Sequence, residues 1–206
     1  MKQRYFIDSH KGATFFFILA LMAWYRQWEN PTAWIYLALH GSYGFLWVLK
    51  SRLFPDKQWE QPASVWYGLY IWGGLTLYWV APWLLTRNAI QAPVWLLGLC
   101  VFLYAFGVFV HFASDMQKYV RLQLRPGRLI SDGFFGLSRN INYFGELLIY
   151  LSFALLPMHW APLIILVLMI TLSWMPYMRK KERSLARYPE FEAYRRRVKK
   201  FIPFVW

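Results

Sequence analysis

Six apolar runs, separated by short polar segments, constrain this chain more than any other feature. They cover residues 12–25, 33–49, 65–85, 94–112, 143–156 and 161–177. An apolar run of about 20 residues crosses a bilayer as a helix, and lipid admits no open sheet edge. The shorter runs span it only if their ends extend into the interface or the bilayer thins locally. The sequence therefore predicts an all-α, polytopic membrane bundle of about six transmembrane helices.

The aromatic content supports the same assignment. Aromatic residues make up 21% of the chain, and 13 of them are Trp, a residue enriched where a membrane protein meets the bilayer interface. No linker composition interrupts the chain. We therefore expect one integral membrane domain over 1–206, with four spans in 1–112 and two further spans plus a cytosolic helical tail in 113–206. The lipid bilayer is its first expected partner.

The basic residues set the predicted orientation. If the N-terminus lies inside, all 23 Lys and Arg residues except Arg26 and Arg87 fall on the inner side. This asymmetry follows the positive-inside rule and assigns both termini to the cytoplasm. The net charge of +13 is explained by the same pattern. Since no recognition motif accompanies the charge, nucleic acid is not expected as a partner.

Two further features limit the possible chemistry. Cys100 is the only cysteine and lies within an apolar run, which excludes an internal disulfide and a thiolate metal cluster, and no metal site is predicted. The first apolar run follows Lys2, Arg4 and Lys11 but contains no small-residue cleavage site. It is therefore interpreted as a retained helix and not as a signal peptide.

The second run carries a polar pair. His40, Tyr43 and Trp47 are spaced i, i+3 and i+7, so they share one helix face. Gly41 and Gly44 permit a close helix neighbour. One interpretation is a packing face with an aromatic anchor, and the other is a hydrogen-bonding pair that points into a pocket.

The fourth run leads into a row of charges. Asp115, Lys118, Arg121 and Arg125 follow one another at helical or near-helical spacing before Pro126 and Gly127 end the helix. A solvated basic segment facing lipid headgroups is one interpretation. The recurrence of Arg at positions 121, 125, 128 and 139 near a Gly-containing loop favours the other, which is bidentate binding of phosphates.

The stretch 132–146 is the most informative in the chain. Within eight positions it holds Arg139, Asn140, Asn142, Tyr143 and Glu146, at the start of a predicted span. Ionisable groups at this depth are costly and usually face a cavity or a partner. The polar tail from Arg179 onward mixes acids with cations and closes on an apolar hexapeptide, so we expect a cytosolic helix folded back over this stretch.

Several of these blocks resemble one family. Ser114-Asp115, Arg125-Pro-Gly127, Gly133-Phe-Phe and the Asn-Tyr-Phe-Gly-Glu sequence at 142–146 are similar, in this order, to the C-terminal region of membrane steroid 5α-reductases and their bacterial relatives. The ending Phe201-Ile-Pro-Phe204 resembles the end of the same family. The resemblance covers roughly 107–206. It implies a bacterial inner-membrane location and a lipid-soluble substrate.

The superfamily that this resemblance implies uses two cofactors. Its reductases use NADPH, and its isoprenylcysteine carboxyl methyltransferases use S-adenosylmethionine. The chain keeps Arg139, Tyr143 and Gly145 of the methyltransferase loop but lacks its His-Pro pair, while Glu182 and the residues after it suit both branches. NADPH carries phosphates and S-adenosylmethionine carries none, so the number of arginines favours NADPH. No Gly-x-Gly-x-x-Gly is present, so the nucleotide is expected within the helical bundle.

The resemblance also implies roles for individual residues. Asp115, Asn142 and Glu146 would hold the adenosine or nicotinamide end, Tyr194 would cap the cytosolic side, and the phosphates would be held by arginines. The complete expected cofactor site is Asp115, Lys118, Arg121, Arg125, Arg139, Asn142, Tyr143, Glu146, Arg179, Glu182 and Tyr194. His40 and Tyr43 are the expected catalytic residues. The acid that the reductases pair with their Tyr has no counterpart in the first four apolar runs.

Three functions follow as hypotheses. The first is an NADPH-dependent reductase of a lipid-soluble enone, steroid-like or otherwise, with hydride transfer to the activated C=C bond. The alternative is an S-adenosylmethionine-dependent methyltransferase acting on a lipid or isoprenylated substrate. The third is a lipid-binding membrane protein that keeps the scaffold without turnover.

Overall fold

The computed structural model describes all 206 residues, and its regular structure is helical. The helices are α1 Gln3–Trp24, α2 Pro31–Tyr36, α3 Ser42–Leu53, α4 Val65–Thr76, α5 Val80–Arg87, α6 Val94–Leu124, α7 Phe134–Leu137, α8 Ile141–Leu155, α9 Trp160–Met169, α10 Met175–Leu185 and α11 Phe191–Arg197. Short π turns, Leu37–Gly41 and Ile170–Trp174, join α2 to α3 and α9 to α10, and a 3₁₀ turn, Leu77–Trp79, joins α4 to α5. The predicted all-α class is confirmed.

Each predicted apolar run lies on one helical stretch. Three stretches are long and apolar enough to cross a bilayer: Gln3–Trp24, Val94–Leu124 and Trp160–Leu185. Helix α8 is apolar but shorter. The six spans and the single domain stay predictions.

Helix α1 differs from its prediction at its start. It begins at Gln3, nine positions before the apolar run, and so includes Asp8, His10 and Lys11. The buried residues of this helix are Ile7, His10, Lys11, Thr14, Ile18 and Met22. Their separations of three and four residues define one helix face. The first four apolar runs contain no acid, but the helix that holds the first of them begins earlier and includes Asp8.

The chain divides into two compact units, residues 1–104 with 150–166, and residues 105–149 with 167–206. In the first unit, α1 packs against α3, α4 and α5. Its closest approach is at Gly44, where a Cβ atom would lie 2.1 Å from the carbonyl oxygen of Lys11. The prediction that Gly44 permits a close helix neighbour is confirmed.

The second unit contains the tail. Gly107 of α6 and Gly145 of α8 meet closely, since a Cβ atom on Gly107 would lie 2.8 Å from the Gly145 carbonyl oxygen. A small apolar core of Val110, Phe135 and Ile141 lies nearby in the chain, and a second core of Phe191, Tyr194 and Val198 holds the tail. The predicted helical tail is confirmed.

Candidate functional site

The tail of the second unit is fastened to residues 135–140 by hydrogen bonds. Arg139 is 6% exposed, and its guanidinium pairs with Glu182 and donates to the carbonyl oxygens of Arg195 and Val198. The Tyr194 hydroxyl donates to the Phe135 carbonyl at 2.7 Å. A further set of bonds joins Ser138 Oγ to Phe201 O, Arg139 N to Lys199 O and Asn140 Nδ2 to Lys200 O. Arg139 therefore organises the tail in this structure.

A second group of buried polar residues lies in the same unit, on α6 and at the start of α8. Asp115 is 4% exposed, with one carboxylate oxygen 3.5 Å from Lys118 Nζ and the other 3.8 Å from His111 Nε2. The other imidazole nitrogen of His111 lies 3.0 Å from the Asn142 carbonyl oxygen. The structure thus brings together Asp115, Lys118 and Asn142, three of the predicted cofactor residues.

Two amide oxygens of the second unit are buried without hydrogen-bond partners. They are Oδ1 of Asn140 and Oδ1 of Asn142. A buried amide oxygen without a donor costs free energy, and such atoms are rare in proteins. They can therefore accept hydrogen bonds from a ligand that carries N–H groups.

An open groove of about 560 Å³ lies along α10 and α11. It is lined by Arg179, Glu182, Arg183, Ala186, Phe191, Glu192 and Arg195. Glu182 is held by Arg139, and Glu192 lies 3.3 Å from Arg195. Arg179 and Arg183 are exposed and reach the groove as cations, so this surface can bind an anion.

The first unit holds a separate buried cluster around Lys11. This lysine is 4% exposed, and its Nζ donates to the Tyr150 hydroxyl oxygen at 2.5 Å. The same ammonium lies 4.4, 4.9 and 5.0 Å from the ring centroids of Tyr43, Trp47 and Tyr150. Cation–π contacts in a desolvated site are worth about 2 kcal/mol or more. The aromatic rings therefore stabilise a buried charge that the interior would otherwise disfavour.

The predicted catalytic residues have different partners in this unit. His40 lies in the π turn, and its Nδ1 is 2.9 Å from the Tyr36 hydroxyl. Its ring stacks on Phe153 at 4.2 Å. Tyr43, fully buried, faces Lys11. The catalytic assignment of His40 and Tyr43 stays a prediction.

A family model described as 3-oxo-5-alpha-steroid 4-dehydrogenase matches residues 69–206. This chain belongs to that family. No curated protein matches the chain.

Membership in the 3-oxo-5-alpha-steroid 4-dehydrogenase family confirms the predicted steroid 5α-reductase-like resemblance and assigns the chain to membrane oxidoreductases acting on CH–CH groups. The matched region contains all of the second unit, and it also contains Tyr150. It begins after Lys11, His40 and Tyr43.

The remaining cofactor residues predicted for this family member are spread over the second unit. Arg121 pairs with Asp132 at the turn before α7, and Arg125 is exposed just beyond α6. Tyr143 and Glu146 are half-buried on α8, where the Tyr143 ring lies 5.8 Å from that of Trp174. Their role in cofactor binding stays a prediction.

Burial changes the acidity of one predicted residue. Tyr194 is 4% exposed, and burial, the largest influence, raises the pKa of its phenol, while the Arg139 charge acts in the opposite direction. The phenol is therefore neutral at physiological pH and donates a hydrogen bond to the Phe135 carbonyl. Tyr194 is part of the tail, and this hydrogen bond holds α11 against residue 135.

Sequence reasoning missed Lys11, His10, Tyr150 and His111. His10 is 2% exposed, stacks on Trp79 at 4.5 Å, and has no hydrogen-bond partner at either ring nitrogen. His10 and Lys11 were hidden because they precede the apolar run. Their three- and four-residue spacing from Ile7 and Thr14 is the signal that places them on the buried face.

Proposed function

We propose that this protein is a membrane-embedded, NADPH-dependent reductase that adds hydrogen across an activated C=C bond of a lipid-soluble, steroid-like enone. The family match supports the reaction class, since the family is one of oxidoreductases acting on CH–CH groups. The observation that carries the cofactor assignment is the groove lined by Arg179, Arg183 and Arg195, because NADPH has phosphates for these cations to bind and S-adenosylmethionine has none.

The donor and acceptor chemistry of the second unit fits NADPH. The adenine amino group and the nicotinamide carboxamide of NADPH both carry N–H groups. These groups would donate hydrogen bonds to the Oδ1 atoms of Asn140 and Asn142, which have no partner in the protein. The phosphates would be held by Arg179, Arg183 and Arg195, whose side chains line the groove. When bound, the reduced nicotinamide supplies a hydride.

The chain's own residues would prepare this site. Lys118 and His111 flank the Asp115 carboxylate, so they hold its orientation beside the Asn142 backbone. The Arg139–Glu182 pair keeps the tail closed, which positions the arginines of α10 and α11. Arg139 itself would act on the cofactor through this positioning, because its guanidinium already holds Glu182 and two carbonyl oxygens.

Ligand binding by the purified protein in lipid nanodiscs tests the cofactor. We expect NADPH to bind, and S-adenosylmethionine not to bind, in isothermal titration calorimetry. Replacing Arg179 and Arg183 together with Gln should weaken NADPH binding by about tenfold per guanidinium lost. Arg196→Gln is the matched control, because Arg196 is an exposed arginine of α11 outside the groove.

The two amides are tested in the same way. Asn142→Ala should lower NADPH affinity by about tenfold, since the ligand loses one buried hydrogen bond. Binding of S-adenosylmethionine without NADPH would overturn the proposal in favour of a methyltransferase. If the protein binds neither NADPH nor S-adenosylmethionine, the third hypothesis is favoured, namely a lipid-binding membrane protein without turnover.

We further propose six spans with both termini in the cytoplasm of a bacterial inner membrane. The distribution of Lys and Arg supports this topology. Since Cys100 is the only cysteine, a Cys100→Ser chain with single cysteines at position 89, 158 or 196 would report the side of each loop. A membrane-impermeant maleimide applied to spheroplasts should label positions 89 and 158 and leave 196 unlabelled. Labelling at 196 would contradict the topology.

A further inference from the structure

Residues 201–206 fold into a turn that exposes apolar side chains, which we call the apolar turn. The N–H groups of Phe201 and Ile202 donate to the Trp206 carbonyl oxygen at 2.6 and 2.7 Å and close the turn. Phe201 is buried beneath it. The exposed side chains are Phe204 (78%), Val205 (73%) and Trp206 (50%). A contiguous exposed apolar patch of this kind marks a site of interaction with a protein or a membrane.

The backbone of Phe204 is unusual for the residue that it carries. Its φ is 65°, in the left-handed region where a Cβ atom is crowded and glycine is the usual residue. Since most of the Phe204 side chain is exposed, packing inside the protein offsets little of this strain. Strained backbone of this kind clusters at positions that contact a ligand. The turn therefore presents its aromatic ring outward at a conformational cost.

The apolar turn lies at the level where helix α8 begins. Ser138 Oγ donates to the Phe201 carbonyl and Asn140 Nδ2 donates to the Lys200 carbonyl, both at 2.8 Å. Helix α8 starts at Ile141 and is apolar. In the proposed topology this helix enters the bilayer from the cytoplasmic side. Residues that are bonded to the segment just before it therefore lie at the inner interface of the membrane.

Cations precede the apolar turn, and no acid accompanies them. Residues 193–206 contain five Lys and Arg side chains and no Asp or Glu. Arg196, Arg197 and Lys199 are exposed. Aromatic rings favour the membrane interface, and Lys and Arg near an anionic leaflet are attracted to its headgroups. The combination, at the level of the headgroups, favours the bilayer over a protein as the partner of this surface.

We propose that the apolar turn is an anchor for the anionic inner leaflet of the bilayer. Its exposed side chains insert just below the headgroups, while Arg196, Arg197 and Lys199 bind anionic lipids. The anchor goes beyond the proposed reductase function and rests on the proposed topology alone. Because Arg195 of the groove lies on α11, directly before these cations, the anchor also holds this part of the groove against the membrane.

A spin label measures the depth of the apolar turn. In the full chain with Cys100→Ser, Val205→Cys carries the nitroxide, and Ala193→Cys, at an exposed position of α11, is the control. The protein is reconstituted in vesicles of phosphatidylcholine and phosphatidylglycerol without NADPH. Accessibility to oxygen and to a water-soluble nickel chelate should place the label at position 205 about 5–10 Å into the headgroup and acyl boundary. The label at position 193 should remain in water.

Phe204→Gly separates membrane contact from folding. Glycine fits the φ of 65° better, so the midpoint of thermal unfolding in detergent should stay the same or rise. The same change removes an inserted ring, so the label at position 205 should move outward. Trp206→Ser should also move it outward. The matched control is Trp66→Ser, which removes an exposed ring outside the tail and should leave the depth unchanged.

Hydrogen exchange measures the part played by the cations. Four backbone N–H groups of the apolar turn are hydrogen-bonded within it, so their exchange requires local opening. Each cation that binds anionic lipid should slow this exchange about fivefold in vesicles with phosphatidylglycerol, compared with phosphatidylcholine alone. Replacing Arg196, Arg197 and Lys199 together with Gln should remove the difference. Arg26→Gln, which removes an exposed cation on the opposite side in the proposed topology, should keep it.

Three results would overturn the anchor. The first is a label at position 205 that the nickel chelate reaches as easily as the label at position 193. The second is dipolar broadening at position 205 that disappears on dilution with unlabelled protein, which would indicate a contact between two copies of the chain. The third is Phe204→Gly losing stability in detergent without a change in depth. An immersed turn in a protein that does not bind NADPH would support the anchor while refuting the proposed cofactor.

Discussion

Arg139 and Glu182 are joined across 43 positions of the sequence, with both Nε and Nη2 of the guanidinium 2.6 Å from Oε1 of the carboxylate. The arginine side chain is 7% exposed and the glutamate side chain 19%. The remaining guanidinium nitrogen donates to carbonyl oxygens of the tail. This pair therefore fixes where the chain turns back after α11.

Removing one partner of this pair should destabilise the protein. Arg139→Gln leaves the Glu182 carboxylate and two carbonyl oxygens without their donor, and the loss should be about 3 kcal/mol. The midpoint of thermal unfolding in detergent measures it. Arg195→Gln is the control, because the Arg195–Glu192 pair is exposed and should contribute less than about 0.5 kcal/mol. Similar midpoints for the two variants would contradict the assigned role of Arg139.

Tyr194 should make stability depend on alkaline pH. Its phenol pKa is raised in the folded protein above the unfolded value of about 10. The unfolded chain therefore releases this proton first, so the contribution is fully present below about pH 10 and is lost as pH rises toward the folded pKa. At pH 8, Tyr194→Phe should lower the free energy of unfolding by about 1 kcal/mol, since the Phe135 carbonyl loses its donor.

The difference between wild type and Tyr194→Phe should shrink as the pH is raised above 10. Unfolding midpoints at pH 8, 9, 10 and 11 measure this difference and cancel the titration of the other tyrosines. A difference that grew with pH would contradict the direction of the pKa shift.

Gly44 should tolerate no side chain. A Cβ atom there would lie 2.1 Å from the Lys11 carbonyl oxygen, which is backbone and cannot move without displacing α1. Gly44→Ala should therefore lower the free energy of unfolding by about 2 kcal/mol or more. The midpoint of thermal unfolding in detergent measures this loss.

The control for Gly44 is Gly73, where a Cβ atom meets nothing within 4 Å. Gly73→Ala should leave stability unchanged or raise it by up to about 1 kcal/mol, because Ala favours the helix. Equal losses at both positions would show that the close approach at Gly44 is not the cause.

Gly107 is the equivalent position in the second unit, where two helices also approach closely. A Cβ atom there would lie 2.8 Å from the Gly145 carbonyl oxygen and 2.9 Å from Ile149 Cγ1. Gly107→Ala should push α6 and α8 apart, lower the unfolding midpoint and weaken NADPH binding, because Asp115 and Asn142 lie on these two helices. Gly98→Ala, on the same helix with nothing within 4 Å, should do neither.

The hydrophobic pattern of the sequence was enough to predict the helices but not the residues at which they begin and end. The apolar runs predicted six helical stretches correctly, because hydrophobicity and period are carried by neighbouring residues. Helix α1 begins nine positions earlier than its apolar run, since a polar residue facing the interior leaves no hydropathy signal. For the same reason, Asp8 and Lys11 lay outside the predicted first helix.

The sequence by itself determined the membrane class, the family and the residue types of the second unit's site, because motifs such as 142–146 are contiguous in the chain. Only the tertiary structure decided which distant residues meet. Lys11 bonds Tyr150 across 139 positions, and Arg139 pairs with Glu182 instead of remaining available to a phosphate. Such contacts depend on how helices cross at small residues like Gly44, and no local periodicity in the sequence encodes a crossing.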